Sequence, residues 1–231
     1  SRGLGDVYKR QGLRMGGDLP KQFIPMRGKP LLMHTLEAFH RWDASARIIL
    51  VLPEDHQPYW NMLCKEIGCK VPHAIVKGGD TRFFSVKNGL DWLLAERRRK
   101  GEEDSGLSLV AVHDGVRPFV SPEVVEACFD KAAVTGAVIP VVPMIDSLRE
   151  TDEKGSHPVD RSRYMAVQTP QVFLLELLTK AYEQPYSSLF TDDASVVEAM
   201  GHAIDTVPGD RENIKITTPF DLLIAEAMFA R

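Results

Sequence analysis

The chain has 231 residues, of which 44% are hydrophobic and 26% charged, which suits one large α/β domain or two small ones. Its formal net charge of -4 argues against a general nucleic-acid binder or a membrane-surface protein, since both need an excess of basic residues. No apolar run is long enough to cross a bilayer and the N-terminus lacks a signal-peptide core, so we expect a cytoplasmic protein that binds small anions.

The first readable feature of the chain is a glycine-rich loop that runs from Gly12 to Phe23. Residues 1–11, which precede it, show neither helical periodicity nor an apolar strand pattern. Three glycines within six positions allow several backbone N–H groups to approach one anion, and Arg14 and Lys21 add positive charge. The loop suits a triphosphate, although glycine content alone favours a surface turn with two solvated cations.

Short apolar strands then alternate with helices. The pattern predicts helices over 30–42, 57–68, from Arg82 onward and from Pro122, which follows Ser121 as N-cap; it predicts strands over 48–52, 73–76, 107–113 and 137–142. This alternation is typical of a doubly wound, mostly parallel sheet that binds ligands at the carboxyl ends of its strands.

The cysteines lie within these elements. Cys64, Cys69 and Cys128 are an odd number in a chain of this length, so we interpret them as reduced thiols. Zinc bound by Cys64, Cys69 and His73 is not favoured, because these three candidates lie on both sides of a helix end and a strand.

The alternation breaks over 143–163, where two extended segments flank a turn-rich stretch over 151–157. This pattern predicts a β-hairpin arm without a crossover helix. Because a two-stranded hairpin has little core, we expect the arm to pack against a second copy of the chain; a lone loop flap is the alternative. Beyond the arm, the pattern predicts strands over 165–168 and 203–207 and helices over 174–184, 192–200 and from a capping box at Thr218.

Ionisable side chains concentrate on four loops of this predicted domain. Transfer of a nucleotidyl group from a triphosphate needs cations near the phosphate oxygens and a divalent metal held by a carboxylate. Asp114 is the best candidate carboxylate because it follows an apolar strand, although an aspartate there is equally typical of a turn or an N-cap. No order of Ser, His and Asp or of Cys and His supports a hydrolytic nucleophile. The four loops carry Arg14 with Lys21, Asp80 with Arg82, Asp114 with Arg117, and the charged run 210–215.

Six short motifs carry a resemblance that covers nearly everything from Gly12 onward. They are Gly12-Leu13-Arg14-Met15-Gly16 with Pro20-Lys21-Gln22-Phe23, Gly78-Gly79-Asp80-x-Arg82-x-x-Ser85, His113-Asp114-Gly115-Val116-Arg117-Pro118, Thr169-Pro170-Gln171, Thr191-Asp192-Asp193-Ala194-Ser195 and Asn213-Ile214-Lys215-Ile216-Thr217. Each is weak alone, but the ordered set is specific. With it the chain resembles the 2-C-methyl-D-erythritol 4-phosphate cytidylyltransferases of the non-mevalonate isoprenoid pathway.

The resemblance implies a single Rossmann-like nucleotidyltransferase domain over 1–231, with the arm forming a homodimer. It implies transfer of CMP from CTP to 2-C-methyl-D-erythritol 4-phosphate with Mg²⁺, giving 4-diphosphocytidyl-2-C-methyl-D-erythritol and pyrophosphate. By position, the resemblance implies that Arg14 and Lys21 are the catalytic pair and that Asp114, supported by Arg117, lies beside the nucleotide and the metal. The residues that it implies bind the nucleotide are Gly12, Gly79, Asp80, Arg82 and Ser85. Those that it implies bind the sugar-alcohol phosphate are Ser147, Arg161, Thr169 and Lys215, of which Arg161 would serve the neighbouring subunit.

The sequence departs from the family in residues 1–11, where members carry a hydrophobic strand, so we expect this N-terminus not to be native. Two alternatives stay open. Val116-Arg117-Pro118-Phe119 also resembles a ribitol-5-phosphate cytidylyltransferase, although the motif from Thr191 to Ser195 favours the isoprenoid enzyme. The unusual N-terminus is also compatible with a nucleotide-binding module that has lost catalysis.

Overall fold

The computed structural model describes residues 19–102 and 107–230. Residues 1–11, which we expect not to be native, lie outside these ranges. The helices of the described ranges are α1 (Leu31–Trp42), α2 (Gln57–Ile67), α3 (Arg82–Lys100), α4 (Pro122–Thr135), α5 (Leu175–Ala181), α6 (Asp193–Glu198) and α7 (Pro219–Met228). The strands are β1 (Pro25–Met26), β2 (Lys29–Pro30), β3 (Ile49–Leu52), β4 (Ala74–Lys77), β5 (Leu109–Val112), β6 (Ala137–Pro143), β7 (Arg149–Asp152), β8 (Gly155–Pro158), β9 (Met165–Val167), β10 (Gln171–Leu174) and β11 (Asp205–Pro208). None of these helices is both long and apolar enough to span a bilayer.

Helix ends follow the local sequence chemistry. Ser121 caps α4 by accepting a hydrogen bond from the Val124 N–H, and Pro122 occupies the first turn, where its missing N–H costs no helical bond. At the other end Gly136 has φ +90°, a left-handed conformation that favours glycine. Thr218 opens α7 with the predicted capping box. The predicted caps are therefore confirmed.

The sheet is α/β in character but more mixed than predicted. In the described residues, β3 and β4 form a parallel pair, and the larger sheet has the order β11-β6-β10-β5, with β9 also paired to β6. Strand β10 is antiparallel to both β5 and β6, whereas β11 is parallel to β6. Strands β5, β6 and β11 thus share one direction, and β10 lies reversed between two of them.

The reversed strand β10 is absent from our sequence prediction, which begins a helix at Leu174. The strand has only four residues, starts with Gln171, and follows Pro170 directly. Four residues are too few for hydrophobic periodicity to separate a buried strand from a helix start. Pairing with β5 and β6 buries its first three residues and makes the segment a strand.

Two apolar clusters hold the elements that carry the candidate site. Phe23 packs with Trp60 and Leu63, among others, and places the segment after Lys21 between α1 and α2. Phe83, at the start of α3, packs with Tyr182, their ring centroids 4.7 Å apart. Burying one such large apolar side chain stabilises a fold by about 1.5–3 kcal/mol, so these contacts fix where the adjacent loops lie.

The predicted hairpin arm is present. Strands β7 and β8 pair antiparallel, and all eight of their residues are exposed. The connecting turn is shorter than the predicted 151–157, because pairing extends to Asp152 and Gly155 and leaves two residues between the strands. The arm therefore has no buried core within a single chain.

Candidate active site

The candidate site lies where three parts of the chain meet at one edge of the larger sheet. Because β5, β6 and β11 share one direction, the loops after β5 and β11 emerge at the same edge. The residues just before the reversed β10 reach that edge as well. This topology brings together Asp114, Thr169 and Lys215.

Asp114 is held by two cations. Its Oδ2 accepts a hydrogen bond from Arg117 Nε at 3.0 Å and lies 3.3 Å from Lys215 Nζ. Burial by itself would raise the pKa of Asp114, but Lys215 and Arg117 outweigh that effect and keep the pKa below its usual value. The result is a charged carboxylate in a fixed position.

The backbone around this carboxylate is also tied down. Arg117, whose side chain is only 11% exposed, donates from Nη1 to the Asn213 carbonyl at 2.7 Å. The Ile216 N–H donates to the Val116 carbonyl at 3.0 Å. The loops after β5 and β11 therefore form one hydrogen-bonded unit.

His113 and Thr169 fix the other side of Asp114. His113 Nε2 lies 3.1 Å from the Arg117 carbonyl, which can only accept, so Nε2 carries the proton. Nδ1 then accepts from the Thr169 hydroxyl at 3.0 Å, and that hydroxyl oxygen accepts from the Asp114 N–H at 3.1 Å. Burial lowers the pKa of His113 to about 4, so the imidazole is neutral. The sequence pattern placed His113 on a strand and gave it no role; the structure ends β5 at Val112, before this histidine.

Lys21 lies beside the same unit. Its Nζ donates to the carbonyl of Thr217, two residues after Lys215. Its stem lines a cavity of about 100 Å³ together with Ile24, Ile216 and other apolar side chains. Gly12 and Arg14 lie outside the described residues, so the expected convergence of Arg14 with Lys21 stays a prediction.

The predicted nucleotide loop connects β4 to α3. The Gly79 N–H donates to Ser85 Oγ at 3.0 Å, and this hydroxyl donates to the Thr81 carbonyl at 2.9 Å. A Cβ on Gly79 would lie only 2.4 Å from Phe84 Cβ, so only glycine fits. Gly79 and Asp80 are exposed on this compact turn.

Arg82 has a partner that the sequence did not predict. Its guanidinium binds both carboxylate oxygens of Asp193, which is completely buried. The Tyr182 hydroxyl donates to the same carboxylate at 2.6 Å. Asp193 lay within one of the six motifs, but no role was assigned to it from sequence, because its partner Arg82 lies 111 residues away along the chain.

The arm residues stand apart from the cluster around Asp114. Ser147 and Arg161 are exposed, and Arg161 donates to the Ile145 carbonyl at the base of the arm. Within the described part of the chain, neither residue makes a hydrogen bond or ion pair with Asp114, Thr169 or Lys215.

Candidate metal ligands are sparse. Cys64 and Cys69 are free thiols, as is Cys128. Residues 19–102 and 107–230 contain no group of three or more His, Cys, Asp or Glu side chains that could hold an ion. Asp114 therefore could supply one carboxylate, and a metal there would need oxygen atoms from a bound substrate.

Comparison with known proteins supplies independent information. The sequence model of the 2-C-methyl-D-erythritol 4-phosphate cytidylyltransferase family matches residues 9–231. Curated relatives with that name from Bacteroides fragilis and Phocaeicola vulgatus are 55% and 54% identical over 218 residues, which cover 94% of this chain and 94% of each relative.

Solved structures described as this cytidylyltransferase or as a 4-diphosphocytidyl-2C-methyl-D-erythritol synthase share the fold. The 2-C-methyl-D-erythritol 4-phosphate cytidylyltransferase from Thermus thermophilus is 32% identical, with a TM-score of 0.70 over 92% of this chain and 94% of that one. The 4-diphosphocytidyl-2C-methyl-D-erythritol synthase from Anaerococcus prevotii is 27% identical, with a TM-score of 0.75 over 92% of this chain and 91% of that one.

Proposed function

The chain belongs to the 2-C-methyl-D-erythritol 4-phosphate cytidylyltransferase family, and from this premise we propose how its residues carry out the reaction. The enzyme is a nucleotidyltransferase that transfers CMP from CTP to 2-C-methyl-D-erythritol 4-phosphate in non-mevalonate isoprenoid precursor synthesis. The products are 4-diphosphocytidyl-2-C-methyl-D-erythritol and pyrophosphate. The observation that carries the assignment of residues is the fixed Asp114 carboxylate, which lies between two cations at the end of β5.

The chemistry is an attack by a phosphate oxygen of the acceptor on the α-phosphorus of CTP. One P–O bond forms there, and the bond to the bridging oxygen breaks, so that its electron pair leaves with pyrophosphate. The acceptor oxygen is already ionised at neutral pH, and no strong general base is needed. The barrier comes from repulsion between anions, so positioning and cationic screening are the main catalytic effects.

Cations near the hydrogen-bonded loops after β5 and β11, which we call the Asp114 unit, would supply that screening. Lys21, together with Arg14, is proposed to neutralise charge that develops on the α-phosphate and the leaving pyrophosphate. Its contact with the Thr217 carbonyl supports this role, because the same loop carries Lys215, the proposed ligand of the acceptor phosphate.

Asp114 is the proposed ligand for Mg²⁺. Arg117 donates to Oδ2 and the 3.3 Å contact of Lys215 is also with Oδ2, so we assign Oδ1 to the ion. Mg²⁺ in nucleotide sites commonly takes one or two carboxylates together with substrate phosphates and water, and a single carboxylate oxygen fits that habit. When bound, the ion would neutralise negative charge on the triphosphate.

Recognition is divided between two sets of residues. Gly79, Asp80 and Ser85 are proposed to bind cytosine and ribose. Thr169 is proposed to bind the acceptor; since its hydroxyl proton is directed at His113, it can only accept a hydrogen bond from the substrate. An alcohol group of the acceptor is a suitable donor.

A homodimer through the arm is also proposed. The exposed arm continues into β9, where Met165 and Val167 are 46% and 43% exposed, and Ile145 at its base is 62% exposed. If two copies covered these side chains on each other, Ser147 and Arg161 of each copy would reach the acceptor site of the other. Sedimentation analysis of the full chain, and of a chain in which a short Gly-Ser turn replaces 149–158, should show a dimer and a monomer respectively.

The activity is tested by pyrophosphate release from CTP and Mg²⁺ with each of two acceptors. We expect turnover with 2-C-methyl-D-erythritol 4-phosphate and little with ribitol 5-phosphate. Preference for ribitol 5-phosphate would contradict the proposed acceptor site, and CTP binding without turnover of either acceptor would indicate a module without catalysis.

A further inference from the structure

The contact between Arg82 and Asp193 joins a half-exposed cation to a buried anion. The Asp193 side chain is 0% exposed, whereas that of Arg82 is 40% exposed. Arg82 Nη1 donates to Asp193 Oδ1 at 3.1 Å, and Nη2 donates to Oδ2. A guanidinium has more N–H groups than one carboxylate can accept from, so this geometry leaves donors for another anion.

Arg82 lies beside the loop that is proposed to bind the nucleotide. It is the first residue of α3, directly after the Gly79 turn and its cap Thr81. Burial opposes ionisation, but Asp193 raises the pKa of Arg82, and Tyr182 and Asp114 add to the rise.

The start of α6, which carries Asp193, is hydrogen-bonded to Gln171, near Thr169 of the proposed acceptor site. Asp193 begins α6, whose cap Asp192 accepts from Gln171 Nε2 at 2.8 Å, while Gln171 Oε1 accepts from the Ala194 N–H at 3.0 Å. Gln171 follows Thr169 by two residues. The Tyr182 hydroxyl donates a further hydrogen bond to the Asp193 carboxylate.

We propose that Asp193 is a positioning residue for the nucleotide, which acts by orienting the Arg82 guanidinium toward the phosphate oxygens of the bound nucleoside triphosphate, with Tyr182 holding the carboxylate. This inference rests on the proposed function, since it takes CTP as the ligand. If the ion pair had only a structural role, there would be no reason for Arg82 to be half-exposed or to lie beside the nucleotide turn.

A double-mutant cycle separates positioning from structure. Asp193→Asn keeps the side-chain shape but turns an N–H group toward a guanidinium donor, and Arg82→Gln removes the cation. We expect Asp193→Asn to lower kcat/KM for CTP about 10-fold, as is common for loss of a charged hydrogen bond. In the Arg82→Gln background the same change should alter kcat/KM less than about twofold, because the group through which it acts is gone.

Tyrosine variants provide a second test that leaves the charges in place. Tyr182→Phe should raise KM for CTP about threefold, which is typical of one lost hydrogen bond, and leave KM for the acceptor unchanged. The matched control is Tyr186→Phe, because Tyr186 is 46% exposed and its ring contacts Phe83 and Phe84. This control should change neither constant. If an Asp193 or Arg82 variant fails to fold, the tyrosine pair decides the question.

The outcomes are distinguishable from failure of the proposed function. Calorimetric titration of each variant with CTP measures the effect without any acceptor, so it applies even if the acceptor is another sugar phosphate. An equal loss from Asp193→Asn in both Arg82 backgrounds, or unchanged CTP affinity in Asp193→Asn and Tyr182→Phe, would overturn the positioning role. Absence of pyrophosphate release by the unmodified chain would count against the proposed function alone.

Discussion

The loops around Asp114 and the hairpin arm both carry residues proposed for the acceptor, but the two regions are built differently. Around Asp114, cations and backbone groups from three chain segments bind one another, and the side chains of Asp114 and Arg117 are only 18% and 11% exposed. In the arm, all eight strand residues are exposed and Arg161 binds only a local carbonyl among the described residues. The first geometry is fixed by the fold of one chain, whereas the second would be completed by another.

The largest expected effect comes from the first region. Lys21→Ala should lower kcat about 150-fold, by analogy with removal of one preorganised donor that costs about 3 kcal/mol of transition-state stabilisation, while KM for CTP changes far less. Lys29→Ala is the control. The Lys29 ammonium lies 2.6 Å from a Glu37 carboxylate oxygen, and this pair is separate from the contacts of Asp114. Steady-state kinetics with near-normal turnover in Lys21→Ala would remove Lys21 from catalysis.

Removal of Arg117 tests whether the Asp114 unit is part of the fold itself. Arg117→Met would leave Asp114 with Lys215 alone and the Asn213 carbonyl without its guanidinium donor. Breaking such a largely buried pair should lower the free energy of unfolding by about 3 kcal/mol, measured by urea denaturation. Arg99→Met removes a 70% exposed arginine from its pair with Glu96 and should cost less than about 1 kcal/mol. Similar stability of the two variants would show that the contacts of Arg117 do not hold the loops around Asp114 together.

The pH dependence of stability tests the region around Asp114 in a second way. The pKa of His113 is about 4 in the folded chain, against an ordinary value of 6.5. Because the folded pKa is depressed, this stability is complete above pH 6.5 and is lost as the pH falls toward 4, by about 2 kcal/mol between pH 7 and pH 5. His34, whose pKa burial also lowers, contributes in the same direction.

Replacing each histidine in turn isolates these contributions. His113→Gln should flatten the dependence of unfolding free energy on pH between pH 7 and pH 5, and His34→Gln should flatten it in the same direction. An unchanged slope in His113→Gln would show that the imidazole near Asp114 is not held neutral by the fold.

The smallest of these effects is expected in the arm. Arg161→Ala should raise KM for 2-C-methyl-D-erythritol 4-phosphate about 10-fold, the loss of roughly one charged hydrogen bond, with little change in KM for CTP or in stability. Arg163→Ala, two residues away, is the matched control. A loss of stability as large as that of Arg117→Met would mean that the arm belongs to the single-chain fold after all.

The comparison also explains what could be predicted from sequence. Helix caps such as Ser121 and Thr218 depend on local chemistry that a few neighbouring residues specify. The hairpin was visible for the same reason. The shorter turn between Asp152 and Gly155 was not, because cross-strand pairing rather than turn composition sets where the strands end.

Long-range partners were harder to predict. The reversed strand β10 and the contact of Arg82 with Asp193 join residues far apart in the chain, and neither has a local signal. Resemblance supplied Thr169 and Lys215 by position, and the structure brings both to Asp114. His113 lay within a motif, yet its role depends on partners at Thr169 and Arg117 that only the folded chain brings close.

The central claim is that the carboxylate at the end of β5 serves the transfer of CMP. The most direct measurement is pyrophosphate release from CTP, Mg²⁺ and 2-C-methyl-D-erythritol 4-phosphate by Asp114→Asn and by Asp91→Asn, an exposed aspartate on α3. We predict at least a 100-fold loss, about 3 kcal/mol, for Asp114→Asn and normal activity for Asp91→Asn. Equal activity of the two variants, both folded, would contradict the account.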